Sequence, residues 1–439
     1  MDLILFLSTM QNKFLSLIII VIIFSFHLNG QKLVNSPYAR FNLGVLNQQG
    51  TFRSISMGGI SAAMRDNNTI SYTNPASYTG FDTTSFVFDI GMDLSKLKLE
   101  GNNENFSTTD MNFRHILLGF PVGRRIGFAA GLVPYSNGYY YIAEKIIKGS
   151  PGWNEATGDY SSAHKGTGTL TSLFTGAGFE ITKNISAGIN LTALFGTLER
   201  QNQFDFSDQN TFSQKNKESL NITGFNLDYG IQYTGTYKKN YFFNAGISFT
   251  APKYYRTVHE LMKERYTTYF YLPYSPDTLS NFNSKSSDST RLPGSLRIGI
   301  MAGKKDKFTA GIDFVMTKWS KAKIQGGDAE MADTRSLMIG LEYIPEKYSN
   351  TSFLRRIEYR IGGRIADNYL LINRIQLKEY SLTGGLAIRL KNSISKASFF
   401  VDYTRRVGDI SAGLHNESIF TVGASLNLYD FWFVKRKYE

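Results

Sequence analysis

The chain of 439 residues carries 48 Lys and Arg against 36 Asp and Glu, with 26 Tyr, 33 Phe, 40 Gly and no Cys. Without Cys there is no disulfide framework, no thiolate metal site and no lipid anchor on an N-terminal Cys, and so many aromatics at a mean hydropathy of −0.22 exclude a disordered chain. The net charge of +12 falls on short turns and the C-terminal tail, not on a groove with stacking aromatics, which excludes nucleic-acid binding.

In chain order, the first element is the apolar run "FLSLIIIVIIFSF" (14–26), preceded by Lys13 and followed by "HLNGQ". It is too short to span a bilayer as a helix, which takes roughly 20 residues. It reads as the core of a secretory signal peptide over residues 1–30, cleaved near Gly30, with Met10 opening a more typical basic region than Met1.

Residues 31–84 follow, too long for a linker and too polar for a membrane strand. "SMGGISAAM" (56–64) sets Gly58 and Gly59 among small residues, which suits close backbone approach in a confined space. In "NPASYTG" (74–80), Asn74 can cap a helical turn opened by Pro75, and Gly80 can end it in a left-handed conformation.

From residue 85 to the end, apolar and polar residues alternate with period 2. Ile185, Ala187, Ile189, Leu191, Ala193 and Phe195 show it, as do Phe308, Ala310, Ile312, Phe314 and Met316. Alternation sustained over nine or more residues marks two-faced strands longer than the five or six residues usual in soluble sheets. Strands are expected near 85–98, 107–120, 125–135, 166–181, 185–203, 218–236, 241–257, 291–303, 307–319, 334–345, 354–366, 379–390, 396–406 and 417–434. Fourteen is an even number, as a bacterial single-chain barrel requires. Short connections such as "PVGRR", "TKN", "YKKN" and "KNSIS" alternate with longer ones near 136–165, 204–217, 258–290, 320–333 and 367–378. That parity places both ends of the barrel domain, residues 85–439, on the periplasmic side of a Gram-negative outer membrane. Hydrocarbon satisfies no backbone hydrogen bonds, so only a closed sheet can cross it. Tyr237, Tyr241, Trp319, Phe431, Trp432 and Phe433 near strand ends suit interfacial aromatic girdles. The cationic turns, including Arg124, Arg125, Lys238, Lys239, Lys304 and Lys305, either contact outer-membrane lipid phosphate or are simply solvated.

On the stretch "SMGGISAAMRDNNTISYTNPASYTGFD" (56–82) ahead of fourteen strands and behind an export signal, the chain resembles the FadL-type outer-membrane transporters of long-chain fatty acids and other hydrophobic compounds. The resemblance implies an all-β fold, a 14-stranded transmembrane antiparallel barrel whose N-terminal segment is a hatch plugging the lumen. Gly58, Gly59, Asn74, Pro75 and Ala76 would then form the hatch motif. It implies passive uptake, with capture by outer loops and sideways exit through a kinked third strand, where Pro134 and Gly138 in "LVPYSNG" stand. Candidate capture residues are Ile142, Ile146 and Ile147 at helical spacing with Lys145 and Trp153, and Leu261, Met262, Tyr266 and Phe270 in the later loop.

A mostly apolar groove with one or two cations would suit a fatty-acid ligand. Other partners expected are outer-membrane lipid and lipopolysaccharide. FadL-like barrels also occur as non-transporting subunits of outer-membrane secretion or barrel-assembly complexes, with a protein partner, and both readings stay open here. An enzyme is not expected. His115, His164, His259 and His415 lie on four separate elements, without a nucleophile or metal spacing, and no cofactor motif is present. Under the hatch reading, deleting residues 71–80 is expected to leave a folded barrel that leaks polar solutes.

Overall fold

The computed structural model describes residues 36–100, 105–208, 211–238, 240–266, 280–327, 329–349, 351–390, 393–410 and 413–431; the signal-peptide reading, Phe270, Trp432 and Phe433 lie outside them. Within these residues the chain is a closed antiparallel barrel of fourteen strands. They are β1 (Ser85–Glu100), β2 (Asn105–Gly123), β3 (Ile126–Asn137 continuing as Tyr140–Ile146), β4 (Tyr160–Glu180), β5 (Ile185–Phe206), β6 (Ser213–Tyr237) and β7 (Tyr241–Thr250 continuing as Lys253–Tyr266). The ring goes on with β8 (Ser280–Leu292 continuing as Ser295–Lys304), β9 (Phe308–Thr317), β10 (Thr334–Tyr343), β11 (Glu358–Ile372), β12 (Ile375–Arg389), β13 (Lys396–Val407) and β14 (Asn416–Phe431). β14 pairs with β1 from Phe431↔Ser85 to Asn416↔Glu100, which closes the ring.

The alternation sorts side chains as the period requires. On β5, Ile185, Ile189, Leu191 and Phe195 face outward, while Ser186 and Asn190 are buried toward the lumen. Bands of outward Phe, Tyr, Ile and Leu, among them Tyr237, Tyr241 and Phe431, match a barrel wall in contact with hydrocarbon. Trp319 does not join a girdle. It is 3% exposed and packs inside the mouth against Tyr369, ring centroids 4.7 Å apart, because the chain after β9 folds over the lumen.

Strand length is uneven. β9 and β10 have 10 residues each, enough to cross a bilayer when tilted. β4, β5 and β6 have 21, 22 and 25, and their excess stands above the membrane on the long-loop side. Residues 140–146 and 258–266, expected within loops, are therefore parts of strands of this taller wall, paired with β4 and with β6 and β8; the second continues from residues 253–257, expected as strand.

Candidate functional site

Residues 36–84 occupy the lumen in two layers. The lower layer holds a short helix, α1 (Phe52–Ser56), and a 3-10 turn (Pro75–Gly80). Asn74 Oδ1 accepts the Ala76 N–H at 3.2 Å, and its amide donates to Ala62 O at 2.6 Å, so one side chain caps the turn and ties two hatch segments together. Gly80 is not left-handed, contrary to the sequence expectation: a 3-10 turn closes instead with the Phe81 N–H donating to Tyr78 O, after which the chain runs extended. What Gly80 supplies is space, since a Cβ there would meet Arg65 Cγ at 3.0 Å.

The wall makes room for this layer. A Cβ on Gly230 would lie 2.1 Å from Asn74 Oδ1, one on Gly246 1.9 Å from Ala62 O, and one on Gly362 2.2 Å from Gly58 N. Inward glycines on successive strands thus form a belt that lets hatch backbone lie directly on barrel backbone. Gly58 and Gly59 complement it with φ of 75° and 100°. Polar anchors fix the register: Asp313 Oδ2 on β9 accepts the Ser61 and Ala62 N–H groups at 2.7 and 2.8 Å. Arg53 on α1 donates to both carboxylate oxygens of Glu342, at 2.7 and 3.0 Å, and Arg360 holds Glu342 from the wall at 2.7 Å. Arg53 also pairs with Asp66. Burial alone would raise the Asp66 carboxyl, but Arg53 and Lys396 hold it below its ordinary value.

The upper layer, residues 36–46, closes the opposite mouth. The Tyr38 hydroxyl donates to His415 O at 2.7 Å, and burial pushes that phenol up to about 12. Tyr369 donates to Gly44 O at 2.6 Å, Asn42 donates to Ala329 O at 2.9 Å, and Ser36 bonds Glu417. Tyr38 and Leu43 pack with Leu198, Leu220, Trp319, Ile324 and Leu370 in an apolar cap. Between cap and hatch lies a cavity of about 540 Å³. Tyr72, Phe174 and Leu194 contribute to its wall, and although Gln48, Asp110, Arg114, Asn190, Asp228, Arg297 and Arg364 stand among its lining, more than half of the surface it exposes is apolar.

The wall itself opens on one side. β2 and β3 pair only from Ile116↔Leu132 down to Gly123↔Ile126. Above that level β2 keeps its partner β1, whereas β3 shifts register between Pro134 and Ser136 and breaks after Asn137, so Gly138 lies between its two segments. The vacated edge is taken by the hatch: Val45 and Leu46 pair with Asn137 and Ser136, and the Asn47 N–H donates to Tyr135 O at 2.9 Å. From the other side, Arg114 on β2 donates to Gln48 O at 3.2 Å. Residues 45–48 therefore sit as a wedge in the gap.

With this architecture in view the comparisons are decisive for the family. The family described as BamG matches residues 10–439. The chain belongs to the BamG family. No curated protein matches it. Its solved neighbours are FadL-type barrels, as the hatch stretch suggested. The Pseudomonas putida toluene transporter TodX is 16% identical, covers 89% of this chain and 100% of its own, and has a TM-score of 0.57. The Ralstonia pickettii toluene transporter TbuX is 15% identical, with 87% and 98% coverage and a TM-score of 0.54. A Pseudomonas aeruginosa FadL homologue is 12% identical, with 89% and 99% coverage and a TM-score of 0.53. At such identities the likeness shows the fold.

In this BamG-family barrel the other candidate residues are dispersed. Ile142, Lys145 and Ile146 lie on the upper segment of β3, not on a helix, because their backbone pairs with His164, Ser161 and Tyr160. Ile147 is exposed beyond the end of that strand, and Trp153 donates to Asp159 at 2.9 Å within the following loop. Leu261, Met262 and Tyr266 lie on β7, paired with Ser284, Asn283 and Ser213. Among the described residues the two groups stand on strands separated by β4, β5 and β6. His115 is buried with Nε2 3.1 Å from Asp89, His164 sits on Asn202 and His259 on Glu218, three separate partnerships. Sequence reading missed the glycine belt, Asp313 and the Arg53–Glu342 clamp. Their signal was present as Gly, Asp or Glu at lumen-facing positions in the middle of strands.

Proposed function

We propose that this barrel is a membrane-embedded subunit of an outer-membrane protein-assembly complex, holding a protein partner by its wall and tall outer strands, with residues 36–84 as a fixed stopper. The observation that carries this reading is the chamber. It lies between the hatch below and the cap above, and charged and amide groups are set among the apolar surface that anything passing through would meet. An apolar solute would displace water from those groups without replacing its hydrogen bonds, at about 1–3 kcal/mol for each group left unpaired. Purification from native membranes in mild detergent tests this: a partner protein at fixed stoichiometry is expected. A lone barrel carrying an apolar compound would reverse the assignment.

The second reading is a passive channel for hydrophobic compounds, long-chain fatty acids or monoaromatics. The gap between β2 and β3 favours it, since a sideways exit needs an interrupted wall. Its neighbours TodX and TbuX are toluene transporters by name, which lends the reading support from fold alone. Uptake of labelled fatty acid or toluene into cells with and without the gene separates the two.

A further inference from the structure

On the turn side of the barrel, the connection from β10 to β11, the turn from β12 to β13 and the end of β14 line an open cavity of about 910 Å³, next to the stopper residue Asp82, whose carboxylate accepts the Tyr429 hydroxyl at 2.8 Å. Its floor is apolar, with Ile357, Leu390 and Ile394, and its rim carries Lys347, Arg356 and Arg389. The cations are not equally spent. Lys347 pairs with Asp306. Arg356 lies 5.8 Å from the centre of the Phe353 ring and has no carboxylate partner among the described residues. Arg389 leaves Nε buried without a hydrogen bond; its nearest carboxylate, Glu358, is 3.9 Å away and already taken by Arg360 at 2.6 Å and Lys396 at 2.7 Å. The single acid on the rim, Asp430, accepts the Phe431 N–H at 2.8 Å.

The surroundings are those of a membrane interface. Tyr348 is 71% exposed, with Lys347 Nζ 5.6 Å and Arg389 Cζ 6.0 Å from its ring centre, and Phe353 and Leu354 also stand out from the turn. Aromatic rings beside cations at the end of an outward apolar band are placed at the level of lipid headgroups.

We propose that this cavity binds an anionic glycerophospholipid of the periplasmic leaflet. Its phosphate would lie between Arg356 and Arg389, and the upper part of its acyl chains would lie over Ile357, Leu390 and Ile394. Guanidinium groups suit the ligand because their planar donors match phosphate oxygens two at a time. The volume falls within the range of sites that enclose a whole small ligand, and the apolar floor has no use for a bare phosphate ion. This assignment stands apart from the function proposed above, because it needs neither passage through the lumen nor a protein partner.

The test uses the full chain in phosphatidylcholine nanodiscs doped with phosphatidylglycerol, with retained lipid counted by native mass spectrometry. Retention of phosphatidylglycerol over phosphatidylcholine is expected, falling about tenfold in Arg356→Gln, as the loss of one charge-assisted phosphate contact implies. Short-chain phosphatidylglycerol should displace the bound lipid and inorganic phosphate should not. Equal retention of both lipids, or no change in Arg356→Gln, would overturn the proposal. Displacement by inorganic phosphate as complete as by the short-chain lipid would also overturn it, making the cavity a phosphate site. Arg356 is on a surface turn, so its variant keeps the barrel; Arg389→Gln, beside the Glu358 cluster, is read only after the heat-modifiable band confirms folding.

Discussion

At the scale of single residues the stopper depends on absences as much as on contacts. Gly230 is the clearest case, because a side chain there would collide with Asn74 and with Pro75, whose Cδ would be 2.8 Å from the added Cβ. Gly230→Leu is expected to expel the 3-10 turn while leaving the β6 ladder intact, so that cysteines placed on residues 74–80 become reactive to a polar thiol reagent. Unchanged protection would contradict the belt. The charged clamp behaves differently. Glu342→Gln leaves Arg53 and Arg360 facing a neutral amide in a buried site, and breaking such a pair costs about 3–5 kcal/mol. The expected readout is a fall in the temperature at which the folded band on a semi-native gel disappears. pH acts on the clamp through Asp66, whose folded-state pKa is depressed below the usual 3.8. A depressed carboxylate contributes stability above its unfolded pKa and loses it as pH falls through the folded one. Hatch protection should therefore be flat from neutral pH down to about 4, the ordinary range for Asp, and weaken only in stronger acid. Release between pH 7 and 5 would assign control to another group.

At the scale of elements, most of the barrel was legible because membrane strands must alternate over their full length, and fourteen such runs are hard to produce by accident. The alternation could not show where a strand ends once it leaves the membrane. Residues 258–266 and 140–146 stand above the membrane, where either face tolerates polar residues and no lipid enforces the alternation, so they read as loops. Trp319 misled for a related reason: an aromatic beside a strand end looks the same whether it turns to lipid or to the lumen. The hatch motif was visible in Asn74 and Pro75, yet its receptor was not, because a glycine in a strand signals a neighbour only after the fold brings one close. The wedge in the wall offers a clean experiment, since the chain has no Cys. Leu46 and Ser136 face each other across paired strands, within the reach of a disulfide. Leu46→Cys with Ser136→Cys is expected to cross-link under mild oxidation, pinning the hatch strand to β3. A locked barrel that still assembles with its partner fits the subunit reading. Loss of apolar uptake on oxidation, restored by reduction, would favour the channel.

At the scale of the whole molecule the fold is closed twice by one segment, and this alters what a deletion should do. Removing residues 71–80 takes away the lower turn but leaves Tyr38, Leu43, Trp319 and Ile324 packed across the opposite mouth. Removing residues 36–46 strips the cap but leaves α1 and the Asn74 turn on the belt. Each single deletion is expected to stay nearly silent in planar bilayers, and the plain expectation of a leak from deleting 71–80 gives way to one that needs both layers gone. Deleting residues 36–80 should open a steady ohmic conductance. The barrel itself should survive, because its strands are hydrogen-bonded to neighbours around a closed ring, and the wall charges left behind keep partners of their own: Arg360 for Glu342, Arg297 for Asp313. Water entering the lumen then meets paired groups instead of bare carboxylates. If the lower deletion alone conducts as strongly as the double one, the cap is no barrier and the chamber communicates with the outside. If the double deletion yields no folded band, the stopper is part of the folding core, and the barrel cannot be treated as a ring with a separable plug.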